Sequence, residues 1–286
     1  MIVTAPAKIN LFLFITGRRD DGYHNICTLF QKISLFDRLH IHRTANSGIS
    51  LRCPDWLPTG RDNLVYRAAE GFFNAAGIKP SVNIVIEKDI PAGGGLGGGS
   101  SDASATLAGL NRLYESPLSE QDLYRLACSL GADCPFFLLD APAAIGTGTG
   151  TELSPVDVPE RWFVLALPDF GVSTQWAYQN FKLTTRHLDT IFDARAQIDT
   201  LLWKNDLEQA VIEKYPEIDR IKGKLFETGA QAALMTGSGS TVFGVFPTEE
   251  SACKAADCLN GFESVAKTAV VRSLRHGENH YQDGLE

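Results

Sequence analysis

Several features that would assign a function class are absent from this sequence of 286 residues. It has no basic run, since 26 lysines and arginines are outnumbered by 34 acidic residues and the formal net charge is −8. This balance argues against nucleic acid as the main partner, because phosphate neutralisation needs a basic face. It leaves a small anionic substrate open, because a local pocket can oppose the global charge.

Membrane and secretion signals are missing as well. No apolar stretch reaches the length of a membrane span, and residues 1–6 lack the basic start and apolar centre of a signal peptide. We therefore expect a cytoplasmic protein without a membrane partner. The six cysteines show no C-x-x-C spacing, so we expect small buried apolar side chains and neither disulfides nor a zinc site.

Glycine, by contrast, is concentrated in residues 91–102, PAGGGLGGGSSD. A predicted strand over 81–90 leads into this segment, and a predicted helix over 101–114 follows it. Glycines without a Cβ can turn backbone amides towards a ligand, and a helix N-terminus adds the positive end of its dipole. The segment therefore predicts a phosphate-binding loop.

Other interpretations of this loop are weaker. No lysine follows the glycines, so it is not a Walker A loop. Gly93, Gly95 and Gly98 match G-x-G-x-x-G, but residues 117–120 start a second helix where a dinucleotide fold needs a strand. A hinge without a ligand is also disfavoured, because ordering so many glycines costs backbone entropy.

Three further segments place polar residues in apolar surroundings. Lys8 and Asn10 share one face of a predicted strand, where the lysine either meets an anion or protects a sheet edge. Asp133 follows a predicted helix and precedes a predicted strand, as a cap, an ion-pair partner or a catalytic acid. Tyr23 and His24 follow a glycine turn and can either contact a planar ring or form a surface hairpin.

The pattern of predicted elements indicates an α+β protein of two domains, residues 1–151 and 152–286. The Gly- and Thr-rich stretch 143–151 marks the predicted boundary. The second half has the strand–helix–strand–strand–helix–strand order of the ferredoxin-like pattern, and its last strand is free to pack back on the first domain. The predicted elements are strands over 2–15, 29–35, 39–42, 82–87, 162–166, 232–235, 241–246 and 266–274, and helices over 63–76, 101–114, 119–130, 215–227 and 249–260. Residues 174–185 and 187–202 have polar, irregular or helical character.

Three of these segments, residues 6–11, 91–101 and 235–240, resemble the three motifs of the GHMP small-molecule kinases. Residues 21–24 with 28–31, and residues 131–137, are similar to the members of that family that phosphorylate a cytidine-diphosphate sugar alcohol. The resemblance implies a ribosomal-protein-S5-domain-2-like N-terminal domain and a ferredoxin-like C-terminal domain. It also implies transfer of the ATP γ-phosphate to the C2 hydroxyl of a methylerythritol moiety, on the route to isoprenoid precursors.

Residue roles follow from the resemblance. It implies that Asp133 accepts or orients the hydroxyl proton beside Lys8, that Tyr23 and His24 recognise cytosine, and that Asn10 lies near the substrate's phosphates or reacting end. One aromatic of Trp176, Tyr178 and Phe181 would cover the other face of the cytosine. The implied ATP-binding residues are Pro91, Ala92, Gly93, Gly94, Gly95, Leu96, Gly97, Gly98, Gly99, Ser100 and Ser101, with Asn63 and Lys88.

Mg²⁺ is expected with ATP, no side chain is assigned to the metal, and a monomer or weak homodimer is expected. Two alternatives stay open: a GHMP kinase for homoserine or mevalonate, and a catalytically silent nucleotide-binding regulator. Because Lys8 and Asp133 are both present, catalysis is favoured over regulation.

Overall fold

The computed structural model describes residues 1–182 and 203–278, and the backbone of residues 281–282. Two sheets organise this part of the chain. The order of strands in the first sheet is β11-β1-β2-β4-β3, and β5 and β6 branch from β2. Its strands are β1 (Ile2–Arg18), β2 (His24–Arg43), β3 (Gly48–Arg52), β4 (Ser81–Glu87), β5 (Ala143–Thr147), β6 (Glu152–Pro155) and β11 (Tyr281–Gln282).

The antiparallel pair of β1 and β2 forms the centre of the first sheet, and Lys8 lies directly opposite Lys32. The two strands predicted over 29–35 and 39–42 are one continuous strand, because β2 pairs with β1 along most of its length. Short β3, which the sequence analysis did not identify, runs parallel to β4.

Helices α1 (Leu64–Ala76), α2 (Gly98–Leu113), α3 (Glu120–Leu130) and α4 (Cys134–Leu138) belong to the first domain. The Asn63 side chain accepts a hydrogen bond from the Val65 amide at the start of α1, and Gly77 closes that helix in the left-handed conformation. A capping box of Ser119 and Asp122 starts α3, as predicted. Helix α2 begins three residues earlier than predicted, directly within the glycines.

The second sheet is antiparallel, with the order β10-β7-β9-β8. This order is that of the predicted ferredoxin-like pattern. Its strands are β7 (Trp162–Leu167), β8 (Ala232–Met235), β9 (Val242–Phe246) and β10 (Lys267–Arg272), and the helices described here are α5 (Thr174–Asn180), α6 (Glu208–Lys214), α7 (Glu217–Glu227) and α8 (Glu249–Leu259). The helical character predicted over 187–202 lies outside the described residues.

The predicted domain boundary after residue 151 falls inside a hairpin. Strand β6 pairs with β5, with Ala144 opposite Pro155, so both belong to the first sheet. The change of sheet therefore lies between Pro155 and Trp162. The C-terminal part does return to the first domain: Ser273 forms a bridge with Ile33, and β11 pairs with β1.

All six cysteines are free thiols. Cys27 and Cys134 are buried, and burial raises the pKa of each thiol to about 11, so neither is an activated nucleophile. The expectation of burial is wrong for Cys128, Cys253 and Cys258, which lie on exposed faces of α3 and α8. No helix in the described ranges combines the length and the apolar character needed to cross a membrane.

Candidate active site

A cleft of about 1240 Å³ lies between the two domains. Residues from β1, the glycine loop (residues 91–100), α5 and the third glycine-rich segment (residues 235–240) line it. This volume exceeds the range of roughly 300–1,000 Å³ typical of a site for one small molecule, so there is room for two substrates. Of the predicted site residues, the following line the cleft: Lys8, Asn10, Tyr23, His24, Asn63, Lys88, Asp133 and residues 91–100.

Glycine is required where the loop passes its neighbours most closely. Gly97 has φ +71°, and a Cβ there would lie 2.9 Å from the Phe137 ring and 3.1 Å from Lys8 Cε. Gly95 has φ +76°, and a Cβ there would collide with the carbonyl of Thr236. The loop is therefore packed between β1, which carries Lys8, and the second domain. The first-turn amides of α2 have no intrahelical partner and form the positive end of its dipole.

Ser101 is the one predicted ATP-binding residue that the structure does not bring to the cleft. Its amide donates to the Gly97 carbonyl, so it is already used within α2. Its hydroxyl is buried beside a separate, smaller cavity of about 270 Å³, without a hydrogen-bond partner among the described residues. The last loop serine that faces the cleft is Ser100.

Lys8 and Asp133 meet in the cleft. Lys8 Nζ lies 3.4 Å from Asp133 Oδ2, and the side chains are 4% and 35% exposed, respectively. Lys8 Nζ also donates to Asn10 Oδ1 at 2.8 Å, and Asn10 Nδ2 donates to Thr28 Oγ1 at 2.8 Å. The cation is thus fixed by a buried hydrogen-bond chain, while the carboxylate keeps an open side for a substrate. The sheet-edge interpretation of Lys8 is wrong, because its side chain is buried.

Asp133 lies between two helices, whereas a strand was predicted to follow it. Pro135 starts α4 in a position that suits proline, so the chain continues as a helix. The Asp133 side chain makes no capping hydrogen bond to α4. Of the roles left open by the sequence, capping is therefore excluded, and the carboxylate is paired with Lys8 and available to a ligand.

A contact that the sequence analysis missed fixes the second domain against β1. Asn205 Nδ2 donates to the carbonyls of Met235 and Gly237, both at 2.7 Å. Asp206 Oδ2 accepts the Ile15 amide at 2.8 Å. The only local signal was an Asn-Asp pair in a stretch without helical or strand periodicity. These two residues hold the third glycine-rich segment beside Lys8 and Asn10.

One end of the cleft is aromatic. The His24 ring stacks on Tyr178, with centroids 5.4 Å apart and an interplanar angle of 29°. Phe181 meets the His24 ring edge-on at 6.5 Å, and Tyr23 is 67% exposed at the rim. Burial, helped by the positive charge of Arg18, lowers the pKa of His24. The neutral imidazole then offers one donor and one acceptor nitrogen near pH 7.

The sequence did not decide which of Trp176, Tyr178 and Phe181 faces the cleft, and the structure places them differently. Tyr178 and Phe181 line the cleft, and burial together with the charge of Asp133 raises the pKa of the Tyr178 phenol. Trp176 packs instead against Tyr215 at 6.1 Å and under Lys214, away from the cleft lining. The cleft therefore presents Tyr178 and Phe181 opposite the Tyr23–His24 turn.

Lys88 and Asn63 line the cleft on the side of the glycine loop, and both side chains already bond to other protein groups. Lys88 forms ion pairs with Asp37 and, at 2.8 Å, with Asp102. Burial alone would lower the pKa of Lys88, but the charges of the two carboxylates outweigh burial and raise it. Asn63 caps α1 and donates to the Pro58 carbonyl. Both residues shape the wall of the cleft rather than extend freely into it.

Metal ligands are sparse. In the described part of the chain no three His, Cys, Asp or Glu side chains form a group that could hold a metal ion. The charged residues that line the cleft include Lys8, Lys88, Asp62, Asp102 and Asp133.

Comparison with known proteins agrees with this geometry. The model described as GHMP kinases N terminal domain matches residues 63–141, and the model described as GHMP kinases C terminal matches residues 191–263. A 4-diphosphocytidyl-2-C-methyl-D-erythritol kinase of Syntrophotalea carbinolica is 44% identical over 262 residues, covering 90% of this chain and 93% of the relative. A protein of the same name from Geobacter sulfurreducens is 40% identical, with coverage of 96% and 99%.

Solved structures give the same result. A crystal structure of 4-(cytidine 5'-diphospho)-2C-methyl-D-erythritol kinase matches with a TM-score of 0.83 and 36% identity, covering 96% of this chain and 99% of that one. Homoserine kinase from Cytophaga hutchinsonii matches with a TM-score of 0.73 but 18% identity, covering 98% and 96% of the two chains. At 18% identity, the match to homoserine kinase shows a shared fold alone.

Proposed function

Because the chain belongs to the GHMP kinases and, within them, to the family of 4-diphosphocytidyl-2-C-methyl-D-erythritol kinases, we propose that the cleft carries out that family's reaction. The γ-phosphate of ATP is transferred to the C2 hydroxyl of 4-diphosphocytidyl-2-C-methyl-D-erythritol, and the products are the 2-phosphate and ADP. The observation that carries the proposal is the Lys8–Asp133 pair, 3.4 Å apart, beside a glycine loop that opens a helix.

Phosphoryl transfer depends on positioning and on charge stabilisation more than on covalent help from the protein. The C2 oxygen forms a bond to the γ-phosphorus while the bond from that phosphorus to the β–γ bridging oxygen breaks. Asp133, with its open side towards the cleft, orients the hydroxyl and receives its proton. Lys8 stabilises the negative charge that develops on the reacting oxygens, and Asn10 holds the ammonium in place.

The nucleotide side is formed by the backbone of the glycine loop. Amides of residues 93–100 bind the β- and γ-phosphates, aided by the dipole of α2. Lys88 lies below the first turn of α2, where a Cβ on Gly98 would be 3.2 Å from Lys88 Nζ, and its ion pairs with Asp37 and Asp102 fix that turn. Mg²⁺ would enter with ATP as part of that substrate and would neutralise phosphate charge.

The aromatic end suits the cytidine group. Tyr23 and Tyr178 provide planar faces for a pyrimidine ring, and neutral His24 provides a hydrogen bond to its edge. We propose that the base binds at the aromatic end of the cleft and the triphosphate at the glycine loop, with Lys8 and Asp133 between them. A hydroxyl on the sugar-alcohol part would then lie between the base and the γ-phosphate.

Product analysis tests the proposal. Purified enzyme is incubated with Mg·ATP and 4-diphosphocytidyl-2-C-methyl-D-erythritol, and in parallel with homoserine or mevalonate; ADP release is measured, and the products are identified by ³¹P NMR. We expect one new phosphomonoester signal with the cytidylyl substrate only. Turnover of homoserine or mevalonate at a higher kcat/KM would refute the proposed acceptor, and absence of turnover with all three would favour the silent regulator.

A further inference from the structure

A second buried lysine lies beneath the catalytic pair. Lys32 on β2 is directly opposite Lys8 on β1, so the two side chains leave the same face of the sheet. Lys32 is fully buried, and among the described residues the carboxylate whose charge acts on it is that of Asp140, which forms no ion pair with it within 4 Å. Its amine donates to the Leu139 carbonyl at 2.7 Å. Burying an amine without a close ion pair is costly for stability, so its position calls for another explanation.

The two lysines enclose a pair of stacked rings. Lys8 Nζ lies 5.5 Å from the Phe30 centroid, and Lys32 Nζ lies 5.2 Å from the Phe136 centroid. Phe30 and Phe136 stack at 4.9 Å with an interplanar angle of 26°. Phe136 belongs to α4, the helix that begins directly after Asp133. The stack therefore connects the β-sheet beneath Lys8 to the helix that carries the catalytic carboxylate.

Helix α4 is held at both ends. At its start the Ser104 hydroxyl donates to the Cys134 carbonyl at 2.8 Å, and at its end Lys32 holds the Leu139 carbonyl. Lys32 itself is fixed by its backbone, since its amide donates to the Pro142 carbonyl at 2.8 Å. A short helix pinned at two points can move little, and Asp133 adjoins its first residue.

We propose that Lys32 is a positioning residue for Asp133: by tying the end of α4 to β2, it keeps the carboxylate at its working distance from Lys8. This inference rests on the proposed role of Asp133. A displacement of the reacting groups of around 1 Å can lower a rate by up to about a hundredfold. Loss of one anchor of α4 is a smaller disturbance, and we expect a fall in kcat of about tenfold. Burial, opposed by the charge of Asp140, also lowers the pKa of Lys32 to about 7, and the amine can donate to the Leu139 carbonyl in either protonation state.

The test separates positioning from stability. Lys32→Met fills the same space without the donor, so we expect kcat to fall by about tenfold, the KM for ATP to stay within about twofold, and the thermal midpoint to stay unchanged or rise. Lys32→Gln keeps a donor on a side chain one atom shorter, so it should recover part of kcat. Lys254→Met, at an exposed lysine bonded to Glu250, is the control and should behave as wild type.

A double-mutant cycle distinguishes failure of this inference from failure of the proposed function. If Lys32 acts through Asp133, Lys32→Met lowers the single-turnover rate less than about twofold in an Asp133→Asn background. A wild-type rate for Asp133→Asn would refute the role of Asp133 itself. An impaired Asp133→Asn enzyme with an unaffected Lys32→Met enzyme would overturn only the role of Lys32, as would a loss of kcat that parallels a loss of thermal stability.

Discussion

Gly97 offers a sharp test of how the glycine loop is coupled to the catalytic lysine. In Gly97→Ala the new Cβ would occupy a left-handed backbone position and lie 2.9 Å from the Phe137 ring and 3.1 Å from Lys8 Cε and Cγ. The left-handed conformation costs an L-residue about 1–2 kcal/mol, and overpacking adds about 1–3 kcal/mol. Because the Lys8 stem is one of the two groups that must give way, we expect kcat to fall by about 10- to 100-fold.

Gly77→Ala is the matched control. Gly77 also has a left-handed backbone, φ +66°, but a Cβ there would meet nothing within 4 Å. We expect this variant to lose about 1 kcal/mol in the free energy of unfolding and to keep the wild-type kcat. Urea denaturation and steady-state ADP release measure the two quantities. If both variants lose similar stability and neither loses activity, the close contact between loop and lysine is irrelevant to catalysis, and the reasoning fails.

Three further predictions concern the aromatic end and the buried lysine. His24→Ala should raise the KM for the cytidylyl substrate by about tenfold, as expected for a lost hydrogen bond and ring contact, and leave the KM for ATP unchanged in the same initial-rate assay. Tyr178→Ala should weaken binding of the cytidylyl substrate in calorimetric titration. Trp176→Ala should not, because Tyr178 lines the cleft and Trp176 packs against Tyr215 instead. Equal losses of affinity in the two variants would contradict this assignment. The pKa of Lys32 falls from its ordinary 10.5 to about 7 on folding, so the unfolded state binds more protons between these values. The free energy of unfolding should therefore rise with pH in that window by about 1.4 kcal/mol per unit from this group, and urea denaturation of Lys32→Met should lack that contribution.

Local signals predicted much of the fold because they act over a few residues. The alternation of a strand placed Lys8 and Asn10 on one face, and the helices predicted over 63–76 and 119–130 do begin at capping residues, Asn63 and Ser119. The start of α2 was predicted too late because glycines favour loops in sequence, although the structure uses them at the first turn of a helix. The helix after Asp133 was missed because residues 134–138 are apolar and too short for helical periodicity to appear.

The parts of the site that the sequence did not predict depend on long-range contacts. Lys88 meets Asp37, which lies 51 residues away, and Asp206 accepts the Ile15 amide of β1 across the domain junction. In the sequence, nothing distinguishes Lys32 from other strand residues. Its position opposite Lys8 depends on the register between β1 and β2. Such contacts have no local pattern, because sheet pairing and domain packing bring the partners together.

In the proposed reaction, Asp133 and Lys8 act together on one hydroxyl beside the phosphate loop. The most direct test is the single-turnover rate of phosphoryl transfer in Asp133→Asn, measured by rapid quench at saturating Mg·ATP and acceptor, with ATP affinity measured separately. We predict that the rate falls by about 10²- to 10⁴-fold while ATP affinity stays within about twofold. A transfer rate within about threefold of wild type would contradict the claim.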